Sequence, residues 1–290
     1  MSDTLNEFPK VTVLGAGTMG AGIAQVCAMA GSAVTLFDVS AEQLERGVAT
    51  IRGFLDKGVQ KEKVTPSTRD AALERLATSA DFPAAVGGAS LVIEAVPEKL
   101  ELKRQVFRDA AAAAGDDAVL ATNTSSLSLA AVFEGVPNPA RTVGMHFFNP
   151  VPIMALLEIV RPGGCSDATL AAVKDYAVRI GKEPIVVRDT PGFATSRLGV
   201  CLGLEAIRMV QADVASPADI DKAMELGYRH PMGPLRLTDL VGLDVRMNIA
   251  DYLRKELDSP AFEVPQLMRD MVADGRLGKK SGRGFYDWSE

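Results

Sequence analysis

The feature that most constrains this chain is a strand, a glycine run and a helix in immediate succession. Residues 10–15 read KVTVLG, short and β-branched, and lead straight into Gly15-Ala16-Gly17-Thr18-Met19-Gly20. Residues 18–30 then carry apolar side chains at helical spacing. A G-x-G-x-x-G run alone is a weak signal, because glycine-rich turns are common; between a strand and a helix it becomes specific. Gly15 permits the tight turn, Gly17 lets the backbone approach a pyrophosphate, and Gly20 lets helix and strand pack closely. Thr18 and Met19 open the helix, whose N–H groups and positive dipole end suit phosphates. A second strand, 32–38 (SAVTLFD), ends in Asp38. An acid at about that offset binds an adenosine ribose and repels a 2′-phosphate, which favours NAD over NADP. Asp38 has a second reading, as a cap for the helix starting near Ser40.

The alternation continues. Residues 41–57 read as a helix with Leu44, Val48, Ile51 and Leu55 on one face, 91–96 (LVIEAV) and 119–122 as buried strands, and 110–114 as an alanine-rich helix face. Continuous apolar strands alternating with helices predict a doubly wound, mostly parallel sheet of Rossmann type, covered by helices on both sides. Residues 142–148 (TVGMHFF) and 155–160 (ALLEIV) read as two strands joined by NPVPIM, followed by a helix at 167–180 and a strand at 183–187. Asp189-Thr190-Pro191-Gly192 is a turn cluster and the best domain boundary. Beyond it the pattern is helical: 194–212, 217–226, 234–256 and 262–274. The expected division is a dinucleotide-binding domain over 1–188 and a smaller all-helical domain over 189–290.

Composition narrows the function. The 290 residues carry 31 basic and 37 acidic side chains, a net charge of −6, which argues against a general nucleic-acid binder. Hydrophobic content of 47% excludes a disordered chain, and no apolar run is long enough to span a bilayer. The first ten residues, MSDTLNEFPK, show neither a signal peptide nor a transit pattern. The three cysteines, Cys27, Cys165 and Cys201, have no C-x-x-C spacing, so neither a disulfide scaffold nor a metal site is expected. A cytoplasmic protein follows.

The chain has two histidines, His146 and His230. His146 and Glu158 fall on the two strands flanking the proline-containing connection. If those strands pair, the side chains face one cleft, and the carboxylate orients the imidazole and stabilises the imidazolium. Oxidation of an alcohol by hydride transfer needs such a base. Without a nicotinamide nearby, the same pair would read as a structural hydrogen bond. His230, before Pro231, reads as a loop or cap residue. Asn123-Thr124-Ser125-Ser126 follows a strand end, where open α/β sheets bind ligands, so Ser125 can touch substrate and cofactor or cap a helix. By spacing alone Glu98 and Lys103 form an ordinary surface pair.

Taken together, VTVLGAGTMGAGIAQ, NTSSLS, GMHFFNPVPIMALLEIV, DTPGF, PMGPLRLTDLVGLD and GKKSGRGFYDW resemble the L-3-hydroxyacyl-CoA dehydrogenase family over nearly the whole chain. The resemblance implies an acyl-CoA substrate, reversible oxidation of an (S)-3-hydroxyacyl thioester to the 3-keto form, and a homodimer formed through the C-terminal domain. It implies His146 as catalytic base, Glu158 as its partner, Ser125 at substrate and cofactor, Glu98 and Lys103 as cofactor contacts, and Lys280 as a lysine reaching the cofactor. Ser196 departs from the family, which usually has asparagine there; a shorter hydroxyl can still donate and accept. The anionic end of CoA calls for basic residues, and Lys57, Lys61 and Lys63 offer them, although they also suit a solvated helix end. Two other readings stay open: an NAD-dependent dehydrogenase of a free hydroxy acid or sugar acid, and a non-catalytic, crystallin-like NAD-binding protein.

Overall fold

The computed structural model describes residues 8–289. Residues 1–7, and with them most of the segment read for targeting signals, lie outside the described residues. The chain divides into two compact units between Asp189 and Thr190. Among the described residues no helix is long and apolar enough to cross a membrane.

The first unit runs β1 (Lys10–Leu14), α1 (Thr18–Met29), β2 (Ala33–Phe37), α2 (Ala41–Gln60), α3 (Pro66–Glu74), β3 (Leu76–Ser79), α4 (Phe82–Val86), β4 (Leu91–Glu94), α5 (Leu100–Ala113), β5 (Val119–Thr122), α6 (Leu129–Val132), β6 (Thr142–Phe147), β7 (Leu156–Arg161), α7 (Asp167–Arg179) and β8 (Glu183–Arg188). The strands form one sheet in the order β3-β2-β1-β4-β5-β6-β7-β8. Pairing is parallel from β3 to β6, antiparallel between β6 and β7, and parallel again between β7 and β8. This is the doubly wound, mostly parallel sheet that the alternation predicts. The strand order reverses direction between β1 and β4, and the crevice beyond the carboxyl ends at that point is where such sheets bind ligands.

Alternation along each strand serves two faces. Val11, Val13, Ile93, Ala121, Val143, Met145 and Ile159 share one core with Ile23, Ala24 and Cys27 of α1, Leu44, Ile51 and Leu55 of α2 and Val173 of α7. On the opposite face Thr12 donates its hydroxyl to the carbonyl of Ala85 in α4 at 2.6 Å. Several elements lack a strong period in the sequence: α3, β3 and α4 are short, and the β3 side chains are only partly covered. They start from local capping instead. Thr65 accepts from the Thr68 N–H and Asp81 from the Ala84 N–H, each with a proline opening the helix.

The second unit is helical: α8 (Thr195–Gln211), α9 (Pro217–Gly227), α10 (Pro234–Val241), α11 (Leu243–Leu257) and α12 (Gln266–Ala273). The continuous helix expected over 234–256 is two helices. They break at Gly242, whose φ of +103° lies where other residues are strained. The apolar period continues across the break because both pieces pack into one core, Leu235 and Leu243 among its members, and periodicity does not register a one-residue kink. The C-terminal tail folds back onto α10. Asp239 is fully buried and accepts from the N–H groups of Phe285 and Tyr286 at 3.0 and 2.9 Å and from the Trp288 indole at 2.9 Å.

Asp239→Ala removes the anion these three donors share and is expected to cost about 3 kcal/mol or more. Trp288 is the sole tryptophan, so its emission should shift to the red as the tail leaves α10. An unshifted spectrum and unchanged denaturant midpoint would show that the tail is held by its apolar contacts alone.

Candidate active site

The glycine loop has the shape of a phosphate cradle. Gly15 adopts φ +103°, and a Cβ there would stand 2.8 Å from the Ala95 carbonyl oxygen. A Cβ on Gly20 would collide with the Gly15 carbonyl oxygen at 1.7 Å, so α1 lies directly against the loop. At Gly17 a Cβ would meet nothing within 4 Å, which leaves the outer face of the loop open to a ligand. Gly17 is also the N-cap of α1 and brings no side-chain acceptor to its first turn. These residues fit a dinucleotide pyrophosphate. Thr18 and Met19 stand in that first turn. Asp38 is not the cap of α2, since Ser40 is. Its carboxylate instead accepts from the Ala16 N–H at 2.9 Å and the Ser40 N–H at 3.0 Å, which holds it against the glycine loop.

Along the same sheet edge, β4 ends in Glu94, fully buried at the sheet centre. Its carboxylate takes bonds from Lys103 at 2.6 Å, the Thr122 hydroxyl at 2.7 Å and the Val96 N–H at 2.7 Å. Burial pushes this carboxyl above its ordinary range, while Lys103 and the other donors pull it back down. The expected surface pair of Glu98 and Lys103 is therefore corrected: Lys103 is only 1% exposed, and its ammonium bridges Glu94 to Glu98, 3.1 Å from the latter. Glu98 in turn accepts from the Thr124 hydroxyl and from the Ser125 N–H at 3.0 Å. So Ser125 is positioned through Glu98 and Lys103. The cap reading of Ser125 does not hold either. Asp189 accepts from the N–H groups of Leu129 and Ala130 at the start of α6, both at 2.9 Å.

His146 and Glu158 are direct partners across the antiparallel β6–β7 pair. Both are buried, and His146 Nδ1 lies 2.7 Å from Glu158 Oε2. The Phe148 ring stands 4.4 Å from the imidazole, centroid to centroid. Asn123, at the end of β5, accepts from the Phe147 N–H at 2.9 Å and ties the two strand ends together beside the histidine. The sequence singled out neither Asn123, Glu94 nor Lys182. Glu94 ends an apolar strand, and an acid in that place was the available signal.

A cavity of about 510 Å³ opens in the first unit, lined by α1, α2, the connection before β7 and the end of α7. Lys57, Lys61 and Lys63 line it, with Arg179 and Lys182. A smaller recess lined by Thr18, Gly22 and Asn149 shares Gln25 with it. Gln25 is 4% exposed, and among the described residues its Oε1 has no hydrogen-bond partner, a buried acceptor on the wall of both spaces. In the second unit Ser196 sits in the first turn of α8. Lys280 lies 2.6 Å from the Asp244 carboxylate. Burial would raise the Asp244 carboxyl, but Lys280 and the backbone N–H groups outweigh it and hold the group below the usual range. His230 lies in the loop after α9, where its N–H donates to the Met224 carbonyl at 3.2 Å.

A phosphate cradle, an acid beside it and a buried imidazole–carboxylate pair on one sheet edge define an NAD-linked dehydrogenase. Residues 10–190 match the NAD binding domain of 3-hydroxyacyl-CoA dehydrogenase, and residues 192–288 match the C-terminal domain of the same enzyme. The chain belongs to the 3-hydroxyacyl-CoA dehydrogenase family and is an NAD-dependent oxidoreductase. It is 43% identical over 290 residues to a 3-hydroxybutyryl-CoA dehydrogenase of Mycobacterium tuberculosis, covering 99% of this chain and 100% of the relative. A 3-hydroxyadipyl-CoA dehydrogenase of Escherichia coli is 40% identical, over 96% of this chain and 58% of its own length. The crystal structure of an (S)-3-hydroxybutyryl-CoA dehydrogenase from Ralstonia eutropha superposes with a TM-score of 0.94 at 40% identity, covering 98% of this chain and 100% of that one.

Lys103→Met would leave Glu94 buried without its cation. We expect a loss of about 3–5 kcal/mol of stability, as when one partner of a buried pair is removed, read from urea unfolding. A loss below about 1 kcal/mol would mean that Glu94 is held as the neutral acid.

Proposed function

We propose that the protein oxidises a short-chain (S)-3-hydroxyacyl-CoA, of which 3-hydroxybutyryl-CoA is the type, to the 3-ketoacyl-CoA, reversibly. The observation that carries the reading is the buried contact between His146 Nδ1 and Glu158 Oε2 on the same sheet edge as the glycine loop. The names of the relatives supply the substrate class.

His146 acts as the general base. With Nδ1 engaged by Glu158, Nε2 is the nitrogen that takes the proton of the 3-hydroxyl. Glu158 keeps the ring in that tautomer and offsets the charge of the imidazolium. Bound NAD supplies the acceptor for the hydride that leaves C3. In reverse, the imidazolium returns its proton to the ketone oxygen. Ser125, set by Glu98 and Lys103, donates to the substrate oxygen and keeps it aligned with His146. The pyrophosphate is held by Gly15, Gly17, Thr18, Met19 and Gly20, and the ribose by Asp38. Glu98, with Lys103 behind it, orders the nicotinamide side.

The thioester arm fits the cavity of the first unit. Lys57 and Lys61 supply cations for its phosphates. The buried Gln25 Oε1 is an acceptor that matches an amide N–H of the pantetheine arm. A free hydroxy acid has no use for a cavity of this size lined by several cations, which disfavours that alternative. The intact acid–base pair disfavours a non-catalytic role. The large exposed side chains Leu198 and Leu226 on the second unit, 71% and 72% exposed, support a homodimer formed through it. We take the enzyme to be cytoplasmic, in keeping with its free thiols.

The deciding assay is NADH oxidation with acetoacetyl-CoA beside free acetoacetate. Turnover with the thioester alone supports the proposal; turnover with the free acid alone overturns it. His146→Ala should lower kcat by about 10²–10⁴ while NADH still binds. Glu158→Gln removes the anion that stabilises the imidazolium, so the acid limb of the oxidation profile should move to lower pH as kcat falls. An unmoved limb would separate Glu158 from the proton transfer.

A further inference from the structure

Lys182 follows α7 and lies 6% exposed against the wall of the large cavity. Its ammonium donates to two backbone carbonyls of one loop, Val151 and, at 2.8 Å, Met154. Among the described residues no carboxylate pairs with it, and burial draws its amine below the ordinary lysine range. Beneath it the Cys27 thiol is pushed up to about 12 by burial, so it supplies no compensating anion at neutral pH. A buried cation held only by carbonyls is costly, and a methionine of similar shape would fill the space without that cost. What the charge accomplishes is to gather those two carbonyls.

The loop it gathers is the connection between β6 and β7, the strands that carry His146 and Glu158. Within the loop the N–H groups of Ile153 and Met154 both donate to the Pro150 carbonyl, at 2.9 and 3.0 Å. Val151 is buried against α1, where a Cβ on Gly22 would come within 2.8 Å of it. Pro152 and Ile153 face the cavity. One side chain thus fixes a loop that touches the helix of the phosphate cradle, walls the cavity and joins the two strands of the acid–base pair.

We propose that Lys182 is a positioning residue for the reaction: by clamping the Val151 and Met154 carbonyls, it sets the loop that aligns the thioester arm with His146. The inference rests on the reading of the cavity as the thioester site. It assigns Lys182 to the loop and not to the phosphates of the ligand.

The test compares Lys182→Met and Lys182→Arg with the unaltered enzyme, using acetoacetyl-CoA and the phosphate-free S-acetoacetyl-N-acetylcysteamine. A misplaced arm should lower kcat/KM at least about tenfold for Lys182→Met, to the same extent with both thioesters, with NADH affinity unchanged. Lys182→Arg, which keeps the donors, should recover part of the loss. Hydrogen exchange of the peptide spanning 150–156 should quicken in Lys182→Met and slow again in Lys182→Arg. A loss confined to the CoA thioester would overturn the proposal in favour of direct phosphate contact. Unchanged kinetics with a lower melting temperature, or exchange that does not change, would reduce Lys182 to a structural residue. If the unaltered enzyme turns over neither thioester, the substrate reading fails, while the exchange experiment still decides whether the clamp exists.

Discussion

The site depends on one reversal of chain direction. Up to β6 the sheet is parallel, and each strand delivers its last residues to the same edge: the glycine loop after β1, Asp38 after β2, Glu94 closing β4, Asn123 after β5. A parallel neighbour of β6 would have to return through a crossover, and its first residues would lie at the far edge. Because β7 runs antiparallel, its beginning lies opposite the end of β6, and His146 meets Glu158 as a register partner. The imidazole–carboxylate contact is therefore a product of topology as much as of side-chain chemistry. A short loop suffices to make it, and that loop must itself be held.

Polar groups at this edge are buried, and each burial is matched by a partner. Glu94 satisfies Lys103, Thr122 and the Val96 N–H at once. A network so complete is rigid in a way an apolar patch is not, because moving any member leaves another unsatisfied in a medium where that is expensive. Its outer end is Glu98, which holds the Ser125 backbone. Order thus passes outward from the sheet centre to Ser125, with the positively charged member, Lys103, kept away from solvent.

Much of this was legible in the sequence. The strand–glycine–helix succession, the acid at 38 and the two strands around NPVPIM located the cradle and the pair, because each rests on local periodicity or on a fixed offset. Contacts between distant segments left no such trace. Lys103 looked like a surface residue because its helix is amphipathic and lysine is rarely buried; only the approach of Glu94 from another strand explains it. Asp189 read as part of a turn, yet it caps a helix sixty residues earlier in the chain. The break at Gly242 was hidden because both helices serve one core and keep the same apolar period across it.

The two lysines buried among the described residues of the first unit solve different problems. Lys103 sits between carboxylates and neutralises them. Its energetic balance is that of an ion pair, in which attraction repays desolvation. Among the described residues Lys182 has only carbonyl dipoles to repay its desolvation, a weaker compensation that makes its environment more sensitive to any loop movement. Carbonyls that drift from the ammonium lose charge-assisted bonds at once, whereas an apolar contact would weaken gradually. A cation in that place therefore gives the β6–β7 loop a sharply defined position. That loop joins the strands of His146 and Glu158, so its position sets the register in which the imidazole meets the carboxylate.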